Sequence, residues 1–381
     1  MSKKTILLTG GGTGGHVIPA LALVPELLKH DYAIHYMGSY EGIERDLVHH
    51  YKKEIPYYAI PSGKLRRYLS KENLTDMLQV IKGIKHARHH LGTIKPDVVF
   101  SKGGFVSVPV VIAAWQRRIP VVIHESDASM GLANKIGVQF ARAMCTSFPE
   151  LEHQKAFYTG TPLRENLLTG DAAKAKAWAG FDRDLPTLLM MGGSSGSVRL
   201  NAALAEALPY LLPYFNIIHV MGRGNLTDTS LTGYKQVAFI HQQLPDVFAL
   251  ADIVVSRAGA NAVFEFLALG LPSLLIPLPL SASRGDQIDN AKSFEKRGYS
   301  KVLLEENLTR EQLIADIRDL YKNRKIYAFN MKKAKKNTAV KDIVAVIVKH
   351  TKTKSVKPRL KIRFVKGTKE KQTEVNPDRT L

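Results

Sequence analysis

The chain is poor in cysteine and in long apolar runs, and each shortage excludes a class of protein. Cys145 is the only cysteine in 381 residues, which rules out an internal disulfide and a cysteine-rich metal site. No stretch approaches the roughly 18 apolar residues of a membrane-spanning helix, because the best candidate, residues 108–115, is followed by Gln116 and two arginines. The N-terminal apolar stretch is too short for a signal peptide. We therefore predict a cytosolic protein.

Acidic residues are also scarce. The 54 lysines and arginines against 34 aspartates and glutamates give a formal net charge of +20, which favours nucleic acid, anionic lipid or phosphorylated substrates as partners. The excess is large at the C-terminus, where residues 349–381 hold eleven basic and three acidic residues. Few large apolar residues occur there, so we predict that residues 351–381 form a disordered basic tail, either simply solvated or adhesive to acidic lipid.

The rest of the chain contains two halves built on one pattern. TILLTGGGTGGH from residue 5 reads as a strand, a glycine-rich turn and a helix start, and TLLMMGGSSGSV from residue 187 repeats it. A second pair follows in the same order, DVVFSKGG at 97–104 and DIVVSRAG at 252–259. Short apolar strands alternate with helices throughout, which is typical of parallel sheets covered on both faces.

These repeats predict an α/β protein with two Rossmann-like, doubly wound parallel-sheet domains that face a crevice. The first domain is predicted at residues 1–160 and the second at 161–350, with the link near Gly160 and Pro162. The terminal helices could return to the first domain.

The glycine-rich loops favour phosphate binding. Gly10-x-Gly12-x-x-Gly15 matches the dinucleotide fingerprint, but the next strand ends in Met37-Gly38 and lacks the acidic residue that holds a ribose. Bare glycines still let backbone amides approach a phosphate at a helix N-terminus, so the crevice could hold phosphate from both halves. A purely structural turn remains the alternative.

Seven motifs carry a family resemblance: GGGTGGHVIPALAL, SKGGFVSVPVVIAA, IHESDASMGLANK, GTPLRENL, MGGSSGS, SRAGANAVFEFLALGLPSLLIPL and GDQIDNA. From about Lys3 to Val348 the chain resembles the MurG family, the peptidoglycan N-acetylglucosaminyltransferases of the GT-B fold. The resemblance implies inverting transfer of N-acetylglucosamine from UDP-N-acetylglucosamine to the muramyl 4-hydroxyl of lipid I, a polyprenyl-diphosphate-linked muramyl peptide, to give lipid II. It also implies a peripheral protein on the cytoplasmic side of the cell membrane, and no cofactor or metal ion is required.

The same resemblance implies donor-binding residues in the second half. Arg164 and Ser194 would lie beside the diphosphate, and Glu265 and Gln287 near the ribose and the sugar. The backbone of Ile240 would lie against uracil. A guanidinium suits a diphosphate, and one carboxylate can accept from two ribose hydroxyls.

In the first half, the resemblance implies that Thr13, Gly14 and Gly15 close over the donor. The family usually reads His-Glu-Gln-Asn where this chain has His-Glu-Ser-Asp, so Asp127 offers an acceptor-only carboxylate where an amide is usual. Its role is therefore open, whereas Asn134 fits the family pattern as a substrate-binding residue.

The sequence offers two candidates for the general base, His16 and Glu125. Aligning the glycine-rich loops sets His16 opposite Ser197, and a phosphate cradle needs no imidazole. At a helix N-terminus the positive dipole end keeps such a ring neutral and able to accept a proton. His16 could take the proton of the acceptor hydroxyl or position the acceptor, and Glu125 is the rival base.

A basic segment at residues 62–90 predicts membrane contact. Leu65, Tyr68 and Leu69 interleave there with Arg66 and Arg67, a pattern that suits anionic headgroups of the inner leaflet. Trp115 could help. From residue 74 to 84, apolar residues recur at helical spacing, so a helix facing the core is the alternative.

Other functions remain possible at this stage. A GT-B glycolipid synthase with a diacylglycerol acceptor would share the fold and the first loop. A basic nucleic-acid-binding protein would fit the charge, but no basic stretch carries the aromatic interleaving of a base-stacking surface, so nucleic acid is not expected as a partner. The acidic pair at 182–184 could suggest a metal ion, yet it lies in a turn-like stretch and reads as structural.

Overall fold

The computed structural model describes residues 3–63, 71–193, 196–334 and 337–352, and only the backbone of 71–75. Its strands are β1 (Lys4–Thr9), β2 (Tyr32–Ser39), β3 (Tyr57–Ile60), β4 (Val98–Ser101), β5 (Val121–Glu125), β6 (Ala143–Thr146), β7 (Ala156–Tyr158), β8 (Thr187–Met191), β9 (Asn216–Val220), β10 (Tyr234–Val237), β11 (Ile253–Ser256), β12 (Ser273–Leu275) and β13 (Ser300–Val302). Its helices are α1 (Gly14–Leu21), α2 (Val24–Lys29), α3 (Ile43–Tyr51), α4 (Lys71–Ile94), α5 (Ser107–Gln116), α6 (Leu132–Phe140), α7 (Ala172–Ala179), α8 (Val198–Leu211), α9 (Leu244–Leu250), α10 (Ala260–Leu269), α11 (Asp286–Lys296), α12 (Arg310–Lys332) and α13 (Ala339–His350). In these ranges, every helix falls short of the length or the apolar character that crossing a membrane takes.

The first seven strands form one parallel sheet in the order β3-β2-β1-β4-β5-β6-β7. β1 is an inner strand between β2 and β4, and its run Ile6, Leu7 and Leu8 is fully buried, as expected for a strand covered by helices on both faces. The strand order reverses between β1 and β4. A crevice opens at such a switch point, beyond the carboxyl ends of the strands.

The second sheet repeats this plan in the order β10-β9-β8-β11-β12-β13, again all parallel. β8 and β11 take the places of β1 and β4. The carboxylate of Asp97 accepts from the Thr5 amide at 2.8 Å, and that of Asp252 accepts from the Thr187 amide at 2.8 Å. The prediction of two Rossmann-like parallel-sheet domains is confirmed.

The alignment of the two glycine-rich loops is wrong in detail. α1 begins after its N-cap Thr13, and α8 begins after its N-cap Ser197. Ser197 therefore corresponds to Thr13 and not to His16. An ungapped alignment loses the register because the second loop is longer than the first between strand and cap.

The end of the chain returns to the first domain. Ile343 and Ile347 of α13 lie in the same hydrophobic core as Ile6 of β1. The two connections between the domains touch each other, since Asn337 Nδ2 donates to the Thr161 carbonyl at 3.1 Å. A domain boundary after residue 160 stays a prediction.

The helix in the basic segment forms, but its buried face differs from the predicted stripe. The core-facing residues of α4 are Val80, Ala87 and Leu91. Met77, Leu78 and Ile81, which the apolar spacing assigned to a core face, are 62%, 52% and 56% exposed. The core-facing alternative is thus wrong for these three residues, whereas Ile84 of the same stripe packs partly buried against the core.

Candidate active site

The carboxyl ends of both sheets face one crevice, and side chains bridge it. Asn261 Nδ2 of α10 donates to the Gly15 carbonyl of α1 at 3.0 Å. Asn290 of α11 donates to Asp127 at 3.1 Å and accepts from the Ala128 amide at 2.8 Å. The first glycine-rich loop and the segment after β5 are thus held against the second domain, so groups from both domains can reach one substrate.

His16 lies in the first turn of α1 and is partly buried, with Nδ1 3.0 Å from Thr13 Oγ1. Burial, assisted by the positive charges of Lys102 and Arg284, lowers the pKa of its imidazole to about 3. The ring is therefore neutral at pH 7, as the sequence predicts. The causes are burial and two cations, whereas the prediction relied on the helix dipole. A bound anion near these cations would raise the proton affinity of the ring.

Glu125, the rival base, ends β5 with only 4% of its surface exposed. Its carboxylate accepts from the amides of Asp127 at 3.1 Å and Gly131 at 2.9 Å, and from Asn134 Nδ2 at 3.0 Å. Asn134 also donates to the His124 carbonyl at 3.0 Å. These two side chains are thus engaged in fixing the segment between β5 and α6.

Asp127 bridges the two domains. Its Oδ2 lies 2.5 Å from Arg284 Nη2, and its Oδ1 accepts from Asn290. Burial raises the pKa of its carboxyl to about 6, with Glu125 and Asp286 adding to the effect. The group is ionised at pH 7 and pairs with Arg284, which explains how a carboxylate occupies a position where the family usually has an amide.

Lys102 is a site residue that the sequence analysis did not single out. It follows β4, is 1% exposed, and its ammonium donates to Ser126 Oγ. Burial lowers its pKa to about 8, against the pull of Glu125 and Asp127. A signal existed: the paired motifs SKGG and SRAG place Lys102 and Arg257 at equivalent positions.

Arg257 occupies the position in the second domain that is equivalent to Lys102. It is 7% exposed and donates to Ser197 Oγ at 2.7 Å and to the Ile276 carbonyl at 3.1 Å. It also forms an ion pair with Glu305. Lys102 differs, because among the described residues the contact of its ammonium is the Ser126 hydroxyl and not a carboxylate. Glu125 and Asp127 act on its charge only from a greater distance.

Among the donor residues implied by the resemblance, Arg164 and Glu265 lie close enough to interact electrostatically. Burial raises the pKa of the Glu265 carboxyl to about 7, and the nearby Arg164 guanidinium opposes that rise. Arg164 Nε is buried and makes no hydrogen bond within the described residues. Gln287 Oε1 accepts from the amides of Ala258 at 3.3 Å and Leu278 at 3.1 Å, which leaves its amide nitrogen as a donor. Ile240 is 5% exposed and lies in the core of this domain.

Several predicted residues cannot be placed. Ser194 lies outside the described residues, and so do Leu65, Arg66, Arg67, Tyr68 and Leu69. Trp115 is described, and its ring is 55% exposed and packs on Phe140 with 5.2 Å between centroids. In the described part of the chain, no three His, Cys, Asp or Glu side chains come close enough to hold a metal ion.

Comparison with known proteins identifies both domains. The model of the glycosyltransferase family 28 N-terminal domain matches residues 6–146, and that of the family 28 C-terminal domain matches residues 187–347.

Curated relatives match over nearly the whole chain. A protein of Geobacillus thermodenitrificans is 50% identical over 352 residues, which cover 91% of this chain and 98% of that protein. One of Clostridium perfringens is 49% identical over 355 residues, covering 92% and 99%. Both are named UDP-N-acetylglucosamine–N-acetylmuramyl-(pentapeptide) pyrophosphoryl-undecaprenol N-acetylglucosamine transferase. The crystal structure of MurG of Acinetobacter baumannii superposes with a TM-score of 0.70 at 26% identity, covering 91% of this chain and 99% of that chain.

Proposed function

This chain belongs to glycosyltransferase family 28, and from that premise we propose that it transfers N-acetylglucosamine from UDP-N-acetylglucosamine to the muramyl 4-hydroxyl of lipid I, with inversion, to give lipid II. The observation that carries the proposal is the 50% identity over both domains to a transferase named for these substrates. The bridged crevice supports the proposal by bringing groups of both domains to one place.

The donor is proposed to bind in the second domain. Arg164 faces the diphosphate, since its Nε is buried without a partner among the described residues. Glu265 accepts from the ribose hydroxyls and Gln287 donates to the sugar, while the backbone of Ile240 contacts uracil. Hydrogen bonds to a charged partner are worth about 1.5–3 kcal/mol each.

The proton of the acceptor hydroxyl is proposed to pass to His16. The imidazole is neutral at pH 7, and it lies on the helix whose Gly15 carbonyl contacts the second domain. The carboxylate of Glu125 already accepts three hydrogen bonds from its own segment, so we assign it the positioning of that segment. Thr13, Gly14 and Gly15 then close over the donor.

The enzyme is proposed to reach its lipid-linked acceptor by docking peripherally on the cytoplasmic face of the membrane. The exposed Met77, Leu78 and Ile81 of α4 are followed by Lys82 and Lys85. An apolar strip beside cations suits anionic inner-leaflet lipid, where each cation near the surface adds about 1 kcal/mol. The exposed Trp115 supports the same surface.

The decisive experiment is transfer of labelled N-acetylglucosamine to a lipid I analogue, with a diacylglycerol acceptor and duplex DNA as parallel arms. We expect labelled product with lipid I alone. Sugar transfer to diacylglycerol would favour a glycolipid synthase, and DNA binding without transfer would refute an enzymatic role.

His16→Ala should lower kcat by about 10²-fold or more if the imidazole is the base, with little change in the donor KM. A near-normal kcat in this variant would indicate that Glu125, and not His16, is the general base.

A further inference from the structure

The first glycine-rich loop binds a carboxylate of the protein itself, that of Glu44. Glu44, in the first turn of α3, is 0% exposed. Its Oε2 accepts from the Gly12 amide at 3.1 Å, and its Oε1 accepts from the Ser39 amide at 2.9 Å and from Ser39 Oγ at 2.5 Å. A loop amide that the sequence assigned to a phosphate is therefore already bound by a carboxylate.

This carboxylate also explains why two positions next to it are glycines. A Cβ added to Gly11 would lie 2.6 Å from the Glu44 carboxyl carbon, and one added to Gly42 would overlap its oxygens. Such approaches are closer than van der Waals contact permits. The side chain of Glu44 thus occupies the space that these glycines leave open.

One tyrosine contacts this loop, and a second contacts Ser39, which donates to Glu44. The Tyr36 hydroxyl donates to the Gly10 carbonyl at 2.7 Å, and the Tyr57 hydroxyl donates to the Ser39 carbonyl at 2.6 Å. Burial raises the pKa of both phenols, and the negative charge of Glu44 raises each further. Both hydroxyls stay protonated and act as donors, so these two contacts do not change across the physiological pH range.

The loop leads directly to the proposed base. Gly12 precedes Thr13, the N-cap of α1, and Thr13 Oγ1 lies 3.0 Å from His16 Nδ1. The Gly11 backbone also lies close enough to the His16 ring to oppose part of the fall in its pKa. A displacement of the loop at Gly11 and Gly12 would therefore move Thr13, the hydrogen-bond partner of the imidazole.

We propose that Glu44 is a positioning residue: its buried carboxylate serves as an internal anion that fixes the 10–13 loop and thereby the imidazole of His16. The inference about catalysis rests on the proposed function, whereas the inference about the loop does not. Glu44 is fully buried and acts through Gly12 and Thr13.

The test compares Glu44→Gln with Glu41→Gln, a matched change at an exposed residue of the same segment. Glu44→Gln keeps the shape of the side chain but turns an amide nitrogen toward donors that need an acceptor. We expect kcat to fall on the order of 10²-fold, the scale for a misplaced catalytic group, while the donor KM changes little. The histidine side-chain NMR signal of His16 should shift in this variant and stay unmoved in Glu41→Gln.

Chemical rescue separates positioning from general damage. Glu44→Ala leaves a space of carboxylate size lined by the Gly12 and Ser39 amides, and formate should restore part of kcat and return the His16 signal toward its wild-type position. Formate should not affect wild type or Glu41→Gln. If Glu44→Ala does not fold, Glu44→Asp provides the rescue, and partial recovery relative to Glu44→Gln is expected.

An unmoved His16 signal and kcat within twofold of wild type in Glu44→Gln would overturn the proposal. A wild-type chain without transferase activity would refute the proposed function instead, and the NMR comparison would still decide whether Glu44 sets the loop.

Discussion

Burial shifts the pKa of three side chains in the crevice away from the values that these groups have in water. They are His16, Lys102 and Asp127. The pKa of His16 falls to about 3 and that of Lys102 to about 8, whereas that of Asp127 rises to about 6. In each case removal from water disfavours the charged form. The crevice therefore combines a neutral imidazole with a cation that stays charged, which is an arrangement that favours an incoming anion.

We expect Lys102→Met to raise the pKa of His16, because the charge of Lys102 contributes to its depression. Protonated His16 cannot accept a proton, so the acid limb of the kcat–pH profile should move to higher pH. Histidine NMR titration gives the direct measurement. Lys102→Arg keeps the charge and serves as the control, and an unchanged His16 titration in Lys102→Met would contradict the assignment.

The effect of Asp127→Asn on the free energy of unfolding should be more stabilising at pH 7.5 than at pH 4. The folded-state pKa of Asp127 is raised to about 6, so between its ordinary value and 6 the folded state binds more protons than the unfolded state. The contribution of this carboxyl to stability therefore falls as pH rises through that window. Denaturant unfolding at both pH values should show a difference on the order of 1–3 kcal/mol, and equal effects of the substitution at both would refute it.

At the scale of elements, the strands were predictable from the sequence, whereas the orientation of α4 and the role of Glu44 were not. The alternation of short apolar runs with helices and the two paired motifs suffice for both sheets, because a parallel strand covered on both faces leaves a continuous apolar signature. The phase of α4 was not predictable from apolar spacing, since Met77 and Ile81 outweigh Ala87 in such a pattern while facing outward. The role of Glu44 was hidden for a different reason: a carboxylate in a helical first turn usually reads as a solvated charge favoured by the helix dipole.

The exposed strip of α4 gives a prediction at the same scale. Met77→Ser combined with Ile81→Ser should weaken binding to vesicles of anionic lipid by at least about tenfold, because two apolar side chains no longer enter the lipid. Turnover of a long-chain acceptor should fall, and turnover of a short, water-soluble acceptor should be spared.

A matched control exists in the second domain. Ile326 and Phe329 of α12 are 60% and 58% exposed, and replacing both with Ser should leave vesicle binding unchanged. Equal losses in the two double variants, or equal losses on both acceptors, would show that α4 has another role.

At the scale of the whole molecule, the Asp127–Arg284 pair joins the domains across the crevice. Arg284→Ala should weaken this contact by about 1.5–3 kcal/mol, the value of a hydrogen bond to a charged partner. Small-angle X-ray scattering should then show a larger radius of gyration in the absence of substrate. Lys301→Ala removes a cation that pairs with Asp316 and Asp319 within the second domain, and its scattering curve should match that of wild type. A radius unchanged in Arg284→Ala would show that the pair does not hold the crevice closed.

The contact between Asn337 and Thr161 has a mechanical consequence. Because a hydrogen bond joins the two connections between the domains there, we expect any rotation of one domain against the other to turn about an axis close to them. Displacement grows with distance from that axis, so the connections move least while the far rim of the crevice travels furthest. A change that stiffens the chain at 161 or 337 therefore alters the swing of the entire molecule from a place that no substrate touches.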